Sequence, residues 1–327
     1  MEENMLVSVV IPTKSRPVAV VDAVKSVFNG TYQNFEIFVV DQTPDESTRD
    51  ALSIFMDDPR FHYLQNRRPG YGAASSRNNG IALSSGEVVA IIDDDVEVRK
   101  DWMERIVAEY IADPKLQFIS GQLTAPPFDP ATGFTPHFVP PPEISNWKLP
   151  WVVAGANVSM RRSLFDRIGG YDEFCGPGSR LRASDDGDIT FRMMRSGAKW
   201  KCCPDIEVVH THGFRPGQAA QDLLLRYEYG NGGLFGRFTR RGDLLAGFRF
   251  MLSEMRPIGK ALLNVVRGRR PAGFNIALIR LRGFWHGFRL SPSEGFVTGA
   301  ELARRRVELR KKLLSEQMKI APEKVAS

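Results

Sequence analysis

Two short clusters of aspartates have the residue type and spacing that could do chemistry. The first, Asp93, Asp94 and Asp95, directly follows the apolar run Val88 to Ile92, which predicts a buried strand. Adjacent carboxylates repel one another, so a buried group of three needs a cation or hydrogen-bond donors beside it. If the chain stays extended, Asp93 and Asp95 point together and could hold Mg²⁺ or Mn²⁺ against a diphosphate. The alternative is a solvated acidic turn.

The second cluster, Asp185, Asp186 and Asp188, opens an amphipathic segment that predicts a helix ending at Arg195. One carboxylate at this position would cap the helix N-terminus. Three carboxylates within four positions exceed what capping requires, and a spare one in a pocket is a natural general base for deprotonating a hydroxyl. The cluster therefore predicts capping alone or capping combined with base catalysis.

His210, His212 and Arg77 are further candidates for chemistry. The two histidines follow the short strand Glu207 to Val209 at alternate positions, so they can face the same side and one could bind a metal. A plain surface pair is the alternative. Arg77 belongs to the segment Ala73 to Leu83, which predicts a helix, and its guanidinium could approach a diphosphate. An ordinary surface helix is the other interpretation of that segment.

Strand and helix signals alternate through the first half of the chain and would position these residues. The β-branched runs Leu6 to Ile11 and Glu36 to Val40 predict strands before the one that carries the first aspartate cluster, and helical spacing occupies Val18 to Phe28. This alternation predicts an α/β fold with a mostly parallel sheet covered by helices. Ligands of open α/β sheets bind beyond the carboxyl ends of the strands. The residues expected at that edge are Thr13 to Arg16, Asp41 and Asp93 to Asp95.

The rest of the chain contains one irregular segment and several regular ones. Ala125 to Pro150 is rich in proline and lacks periodicity, so it predicts a long loop that serves as a substrate-binding lid or is a plain surface excursion. Further strands or helices are predicted at Trp151 to Met160, Arg162 to Ile168, Phe274 to Phe288 and Glu301 to Met318.

The 327 residues divide into two regions of opposite charge. Up to Gly213 the chain has 22 Lys and Arg against 29 Asp and Glu, and from Phe214 onward 22 against 9, so the net charges are −7 and +13. The length fits about two domains of roughly 150 residues. We predict a domain over 1–213, with halves at about 1–100 and 101–213, and a basic, mainly helical region over 214–327. Hydrophobic residues make up 43% of the chain, which excludes wholesale disorder.

Several classes of protein are disfavoured by motifs that the sequence lacks. Neither GxxxxGK[ST] nor a GxGxxG after the first strand occurs, which argues against a P-loop NTPase and a dinucleotide dehydrogenase. Cys175, Cys202 and Cys203 have no disulfide-framework or zinc-site spacing, which fits a reducing compartment. No signal peptide or membrane-crossing apolar stretch is evident. We therefore expect a cytoplasmic protein, with a peripheral position on the inner face of the cell membrane as the alternative.

Taken in order, these segments resemble the family 2 glycosyltransferases, which depend on nucleotide-sugars and have the GT-A fold. The resemblance covers roughly residues 5 to 213, and the ordered set is far more specific than any one segment. The matching segments are VSVVIPTKSRP (Val7 to Pro17), EIFVVDQ (Glu36 to Gln42), GYGAASSRNNGI (Gly70 to Ile81), VVAIIDDDV (Val88 to Val96), GANVSMRRSLFDRIGGYDE (Gly155 to Glu173), SDDGDITFRM (Ser184 to Met193) and VVHTH (Val208 to His212).

The resemblance assigns donor-binding roles to residues of the first half. It implies that Pro12, Thr13 and Arg16 line the nucleotide pocket and that Asp41 receives the base. Arg77 is expected near the diphosphate.

The same resemblance assigns the metal and the base. Asp93 to Asp95 overlap the DxD element of the family, in which Asp93 and Asp94 contact the nucleotide-sugar and Asp95, with Asp93, holds Mg²⁺ or Mn²⁺. Asp186 matches the catalytic base, although the family often has Glu-Asp where this chain has Asp185-Asp186, so Asp185 is the alternative. His210 or His212 matches a histidine near the metal.

The expected function is inverting transfer of a sugar from a nucleotide-diphosphate donor to an acceptor hydroxyl, in polysaccharide or glycolipid synthesis. A UDP-sugar is the default donor, with GDP- and dTDP-sugars as alternatives. A non-catalytic nucleotide-sugar or glycan-binding protein on the same fold is a second reading. Nucleic-acid binding would suit the +13 region. No zinc finger, RRM or helix-turn-helix motif supports it, so no nucleic-acid partner is expected.

The basic region after Gly213 has two interpretations. In the first, arginines contact anionic lipid headgroups while aromatic residues dip into the interface, which would suit a lipid-linked acceptor. In the second, the aromatic residues pack as a helical cap on the catalytic domain. The arginines concerned are Arg237, Arg240, Arg241, Arg267, Arg269 and Arg270, and the aromatic residues are Phe274, Phe284, Trp285 and Phe288.

Overall fold

A computed structural model of the protein describes residues 5–67, 71–140, 153–268 and 273–320, with the backbone alone at 256 and 314–320. Several predicted features lie outside the described residues. These are Gly70, the second part of the predicted loop at 141–150, the beginning of the segment at Trp151, and Arg269 and Arg270.

The centre of the fold is an eight-stranded mixed sheet. Its strands are β1 (Val7–Thr13), β2 (Phe35–Asp41), β3 (Phe61–Gln65), β4 (Val88–Ile92), β5 (Glu97–Val98), β6 (Leu116–Thr124), β8 (Asn157–Arg161) and β9 (Lys199–Val209), and β7 (Gly133–Phe134) and β10 (Arg215–Pro216) form a separate pair. The order in the sheet is β3-β2-β1-β4-β8-β6-β9-β5. Its parallel pairs are β1 with β2 and β4, β2 with β3, and β6 with β9, whereas β8 runs antiparallel to β4 and β6, and β5 antiparallel to β9.

Helices cover both faces of this sheet. The helices before β9 are α1 (Pro17–Phe28), α2 (Ser47–Ala51) continued by a 3-10 turn (Leu52–Phe55), α3 (Ala73–Leu83), α4 (Trp102–Ala112), α5 (Arg162–Ile168) and α6 (Asp185–Arg195). Those after it are α7 (Gly217–Arg240), α8 (Leu244–Val266), α9 (Phe274–Arg289) and α10 (Gly299–Ile320). A mixed, mostly parallel sheet flanked by helices, with a helical C-terminal region, confirms the predicted fold class.

The period of two in β1 explains why both faces are covered. Val9 and Ile11 belong to the apolar cluster on one face of the sheet, and Val10, between them, belongs to the cluster on the other face. The strand predicted over Leu6 to Ile11 extends two residues further than expected. Pro12 pairs in register with Val40, and the strand continues to Thr13 because its side towards β4 carries no pairing beyond Val10.

Glycine lets α3 approach both the sheet and a neighbouring loop. A Cβ atom on Gly80 would lie 2.4 Å from Val10 Cγ1, so α3 rests directly on β1. At the other end of the helix, a Cβ on Gly72 would lie 1.9 Å from the Pro177 carbonyl oxygen, and that oxygen accepts a hydrogen bond from Ala73 N at 2.9 Å. These close contacts place the N-terminus of α3 beside the strand ends that carry the aspartates.

The C-terminal region shares a hydrophobic core with the sheet domain. Phe174, Leu181 and Phe191 pack in one cluster with Phe238 of α7 and Phe284 of α9. The predicted boundary at 213 therefore falls inside a continuously packed part of the chain.

The side chains predicted to meet a membrane differ in their surroundings. Phe284 is buried in the shared cluster, and Phe288 packs against it. Arg237 is fully buried and donates to Asp172, to which Arg241 also donates. Trp285, by contrast, is 54% exposed. The aromatic residues are thus divided between the helical cap and the surface, and Arg237 is wrong as a headgroup contact.

Candidate functional site

A cleft opens at the carboxyl edge of β1, β2 and β4, where the strand-end residues were expected to meet. Its volume is about 610 Å³. Pro12, Thr13 and Arg16 line one side, and Arg77 and Asp93 to Asp95 line another. Six of the seven predicted donor-binding residues, together with Asp95 of the predicted metal site, therefore surround one space. Other lining residues are Gln42, Tyr71, Pro136, His210, Arg215, Arg226 and Tyr227.

The three adjacent aspartates point to different partners. They follow the last residue of β4 in a turn, and Arg16 Nη1 bridges Asp94 Oδ1 and Asp95 Oδ2 at 2.7 Å each. Thr13 Oγ1 donates to the other oxygen of Asp94, at 2.7 Å. Asp93 turns away and pairs with Arg77, Nη2 to Oδ1 2.6 Å. The expectation that Asp93 and Asp95 point together is wrong, because the chain turns after Ile92 instead of staying extended.

Burial and the neighbouring cations set the protonation of the two inner carboxylates. Burial raises the pKa of Asp94 to about 6, although the charge of Arg16 opposes this effect. Burial also acts against ionisation of Asp95, but its hydrogen bond with His210 and the charges of His210, Arg16 and Arg215 lower the pKa of that carboxyl. Asp95 is therefore the carboxylate that these neighbours hold in the charged form.

Arg77 joins the two aspartate clusters. It projects from α3, is buried, and donates to Asp93 through Nη2 and to Asp185 through Nη1. Desolvation disfavours its charge, but Asp185 and Asp93 raise the pKa of the guanidinium and keep it ionised. Both groups of carboxylates, which are far apart in the sequence, thus meet through one side chain. A guanidinium that donates to two carboxylates in this way can also bind a diphosphate.

Asp185 and Asp186 begin α6, as predicted, but their surroundings differ. Asp185 is buried in its ion pair with Arg77. Asp186 is only partly buried, and its Oδ1 accepts from the adjacent Gly187 N at 2.7 Å. Burial, and then the charge of Asp185, raise the pKa of Asp186 to about 7. The partly exposed carboxylate with a pKa near neutrality has the properties of a general base.

The structure separates the two histidines that follow β9. His210 Nε2 lies 3.1 Å from Asp95 Oδ1, whereas His212 Nε2 lies 3.0 Å from Asp22 Oδ2 of α1 and its side chain is 38% exposed. The expectation of a shared face is wrong, since the chain turns at residues 211–212. His210 is the histidine of the acidic cluster.

Asp95 and His210 supply donor atoms of the kind that divalent cations accept, while Arg16 and Arg215 also donate to the Asp95 carboxylate. His210 Nδ1 lies 2.8 Å from the Pro136 carbonyl oxygen, so it carries a proton and donates there. Nε2 then presents either a second proton or a lone pair to Asp95. The hydrogen bond to Asp95 and its charge raise the pKa of His210 against the effect of desolvation. An imidazole nitrogen facing a carboxylate oxygen is a pair that Mg²⁺ or Mn²⁺ accepts. Among the described residues no three His, Cys, Asp or Glu side chains form a metal-binding group.

Asp41 is placed at the end of β2 as predicted, but it does not line the cleft. Its carboxylate is fully buried and accepts hydrogen bonds from Thr43 N at 2.7 Å and Tyr63 Oη at 2.7 Å. A role for Asp41 in receiving the base stays a prediction.

Four cleft residues from the C-terminal region, Arg215, Leu223, Arg226 and Tyr227, escaped the sequence analysis. Arg215 Nη2 donates to Asp95 Oδ2 at 3.1 Å, and Tyr227 of α7 lines the same cleft. Burial, together with the charges of Asp186, Asp93 and Asp95, raises the pKa of the Tyr227 phenol. Nothing in their local sequence marks these residues. The general basicity after Gly213 was the one available signal.

A mixed sheet with acidic residues at its carboxyl edge and a cleft beside them defines the class of GT-A proteins. Residues 8–169 match the model of glycosyl transferase family 2. This match confirms the resemblance of the ordered motifs to that family. In fold it is similar to the mannosyltransferase PcManGT from Pyrobaculum calidifontis, solved in complex with GDP-Man and Mn²⁺, with a TM-score of 0.56 and 18% identity over 92% of this chain and 86% of that one.

Two curated relatives are similar in sequence. One is a glucosyl-dolichyl phosphate glucuronosyltransferase of Haloferax volcanii, 31% identical over 53% of this chain and 58% of the relative. The other is the putative colanic acid biosynthesis glycosyl transferase WcaA of Escherichia coli, 27% identical over 65% of this chain and 75% of the relative. The chain thus spans less than two thirds of the archaeal relative's length.

Proposed function

We propose that this protein is an inverting glycosyltransferase that moves a sugar from a nucleotide-diphosphate donor to an acceptor hydroxyl. The observation that carries the proposal is the way in which Arg77 joins two groups of carboxylates. Arg77 and Arg16 contact the cluster Asp93 to Asp95 in the cleft, and Arg77 also pairs with Asp185, the neighbour of the partly exposed Asp186. Asp186 itself does not line the cleft, and burial raises its pKa to about 7.

The donor would lie along the cleft with its diphosphate at the acidic cluster. Pro12, Thr13 and Arg16 would border the nucleotide, with Asp41 behind them, while Arg77 and Arg215 supply positive charge on either side of Asp93 to Asp95. When bound by Asp95 and His210, Mg²⁺ or Mn²⁺ would neutralise charge on the diphosphate. Asp93 and Asp94 would contact the donor. His212 is the less favoured metal ligand because its side chain lies against Asp22.

Arg215 and Arg77 would stabilise the leaving group directly. As the bond between the anomeric carbon and the diphosphate oxygen breaks, the electron pair stays on the diphosphate, and guanidinium donors bind the resulting charge. The interaction of both arginines with carboxylates keeps them in place before the donor arrives.

Asp186 would act as the base from the side of the acceptor. Its carboxylate would take the proton of the acceptor hydroxyl while that oxygen forms a bond to the anomeric carbon. A single displacement from the face opposite the diphosphate inverts the anomeric centre. Asp185 is less suited to this role because Arg77 neutralises it in a buried ion pair.

The nucleotide base of the donor and the kind of acceptor are proposed from the names of similar proteins, which is less specific support than the geometry of the site. The neighbour solved with GDP-Man makes a GDP-sugar a concrete alternative to the UDP-sugar that the family resemblance implies. A relative named for a dolichyl phosphate substrate supports a lipid-linked or glycan acceptor. We propose glycolipid or polysaccharide synthesis as the setting.

The test is a screen of UDP-, GDP- and dTDP-sugars for Mn²⁺-dependent thermal stabilisation, since a ligand that binds the folded state raises its Tm. We expect stabilisation by one donor class in Mn²⁺ and little in EDTA. His210→Ala should lose most of the Mn²⁺-dependent part. His212→Ala is the matched control and should keep it. Equal stabilisation with and without Mn²⁺ would mean that donor binding does not depend on the metal. No stabilisation by any donor would overturn the proposed function.

A further inference from the structure

The helix α8 exposes an apolar face to solvent along its whole length. The side chains that share this face by helical periodicity are 60% to 83% exposed, and they are Leu244, Phe248, Met255, Leu262 and Val266. Other apolar side chains nearby on α8 are about half exposed. Only a narrow stripe that includes Ala246, Phe250 and Ala261 is buried against the protein. Monomeric proteins rarely leave so continuous an apolar surface uncovered.

The charges beside this face are all positive. Arg249, Lys260 and Arg267 lie along one line of the helix, at the border of the apolar face. The one acidic residue of α8, Glu254, is buried and pairs with Arg280, and the sequence of α9 contains no acidic residue. A wide apolar face bordered by Lys and Arg is typical of helices that lie in the plane of an anionic membrane surface.

A second copy of the chain fits this surface less well. In a twofold interface the same patch meets itself, so neither line of Arg and Lys would find an acidic partner on the other copy's α8, and antiparallel helices would bring the two lines together. An anionic lipid surface supplies the opposite charge instead. None of the described helices is long and apolar enough to cross a bilayer.

We propose that α8 docks the protein on anionic membranes, with its axis parallel to the surface. A helix of 23 residues covers about 34 Å of the interface. Trp285 on α9, the helix that packs beside α8, is exposed as well.

The docked helix connects to the candidate active site through α7. That helix packs on α8, and its N-terminal half lines the cleft with Leu223, Arg226 and Tyr227. Leu224 and Leu225, adjacent to these lining residues, are exposed. The inference that docking serves a lipid-linked acceptor rests on the proposed function, but docking itself rests only on the surface of α8 and α9.

Flotation with vesicles tests the docking directly. The full chain should float with vesicles of phosphatidylglycerol and phosphatidylcholine, float much less with phosphatidylcholine alone, and lose binding at high ionic strength. The double variant Phe248→Glu/Met255→Glu should lose flotation. Its matched control is Ile54→Glu, since Ile54 is 65% exposed on the 3-10 turn after α2, and this variant should bind as wild type.

Charge reversal on the helix gives a graded readout. Lys260→Glu and Arg267→Glu should each weaken binding by at least about fivefold, whereas Lys115→Glu, at an exposed lysine after α4, should not. Nucleotide-sugar stabilisation measured on the same variants reports the donor site separately. Wild-type protein that stays off anionic vesicles overturns the docking proposal, even if it binds a donor. Concentration-dependent dimerisation that Phe248→Glu/Met255→Glu abolishes would also overturn the docking proposal, because a second copy of the chain would then cover the apolar face of α8.

Discussion

At the scale of single residues, the candidate site depends on carboxylates whose neighbours give them different protonation. Asp95 is held ionised by His210 and two arginines, whereas burial and the charge of Asp185 raise the pKa of Asp186 to about 7. Asp95 is thereby suited to binding a cation, and Asp186 to accepting a proton. The difference arises from position alone, since all the residues concerned are aspartates.

The raised pKa of Asp186 predicts a pH-dependent effect on stability. Between its ordinary pKa of 3.8 and about 7, the folded protein binds a proton that the unfolded chain has released, so this residue's contribution to stability falls as pH rises through that window. Asp186→Asn removes the effect. We expect its Tm to exceed that of wild type at pH 8 and the difference to shrink towards pH 4, as measured by calorimetry in a pH series.

A surface carboxylate provides the control for that experiment. Asp205→Asn removes a carboxylate at an exposed position in β9 and reports what this substitution does away from the site. If the Tm difference between Asp186→Asn and wild type did not change with pH, the raised pKa of Asp186 would be contradicted, and the structural basis for its role as a base would be lost.

At the scale of helices and strands, periodic segments could be predicted and glycine-rich ones could not. The bounds of α3, β4 and α5 agree with the sequence analysis residue for residue. For β4 and α5 the reason is plain, because β4 is an apolar run and α5 places Leu164, Phe165 and Ile168 on one buried face. The helix α7 escaped prediction, since its glycines are typical of loops. Its glycines allow contact with α9. A Cβ on Gly232 would lie 1.9 Å from the Arg280 carbonyl oxygen, and one on Gly236 2.0 Å from that of Phe284.

This packing predicts that Gly232→Ala is destabilising although alanine favours helices. The added methyl group meets backbone that cannot rotate away, so we expect a loss of about 1–3 kcal/mol or more in the free energy of unfolding. Gly259→Ala in α8 is the matched control, since nothing lies within 4 Å of its Cβ position. That variant should be neutral or gain up to about 1 kcal/mol. Urea denaturation compares the two, and equal effects would mean that α7 and α9 do not pack through Gly232.

At the scale of the whole molecule, opposite charges along the sequence do not correspond to separate bodies. The split between −7 and +13 predicts two regions, but the basic part supplies Arg215 and Tyr227 to the cleft and contributes to an apolar cluster shared with the acidic part. Sequence analysis could not place these contacts, because they join residues far apart in the chain and no local pattern encodes them. The acidic edge of the sheet was predictable, since strand ends are marked by the runs before them.

The shared core predicts one cooperative unfolding transition. Separating residues 1–213 from 214–327 would expose Phe174, Phe191 and Phe238 and leave Asp172 without its arginines. Calorimetry should therefore show a single peak with equal calorimetric and van't Hoff enthalpies. Two resolved peaks would indicate independent domains on either side of residue 213.

The central claim is that Asp186 removes the acceptor proton during sugar transfer, and its most direct test compares Asp186→Asn with wild type. The measurement is release of nucleoside diphosphate from the donor found in the thermal screen, with donor affinity determined by calorimetry in Mn²⁺. The account predicts that turnover falls by about 10² or more while donor affinity stays nearly unchanged. Asp186→Asn protein that turns over at the wild-type rate would contradict it.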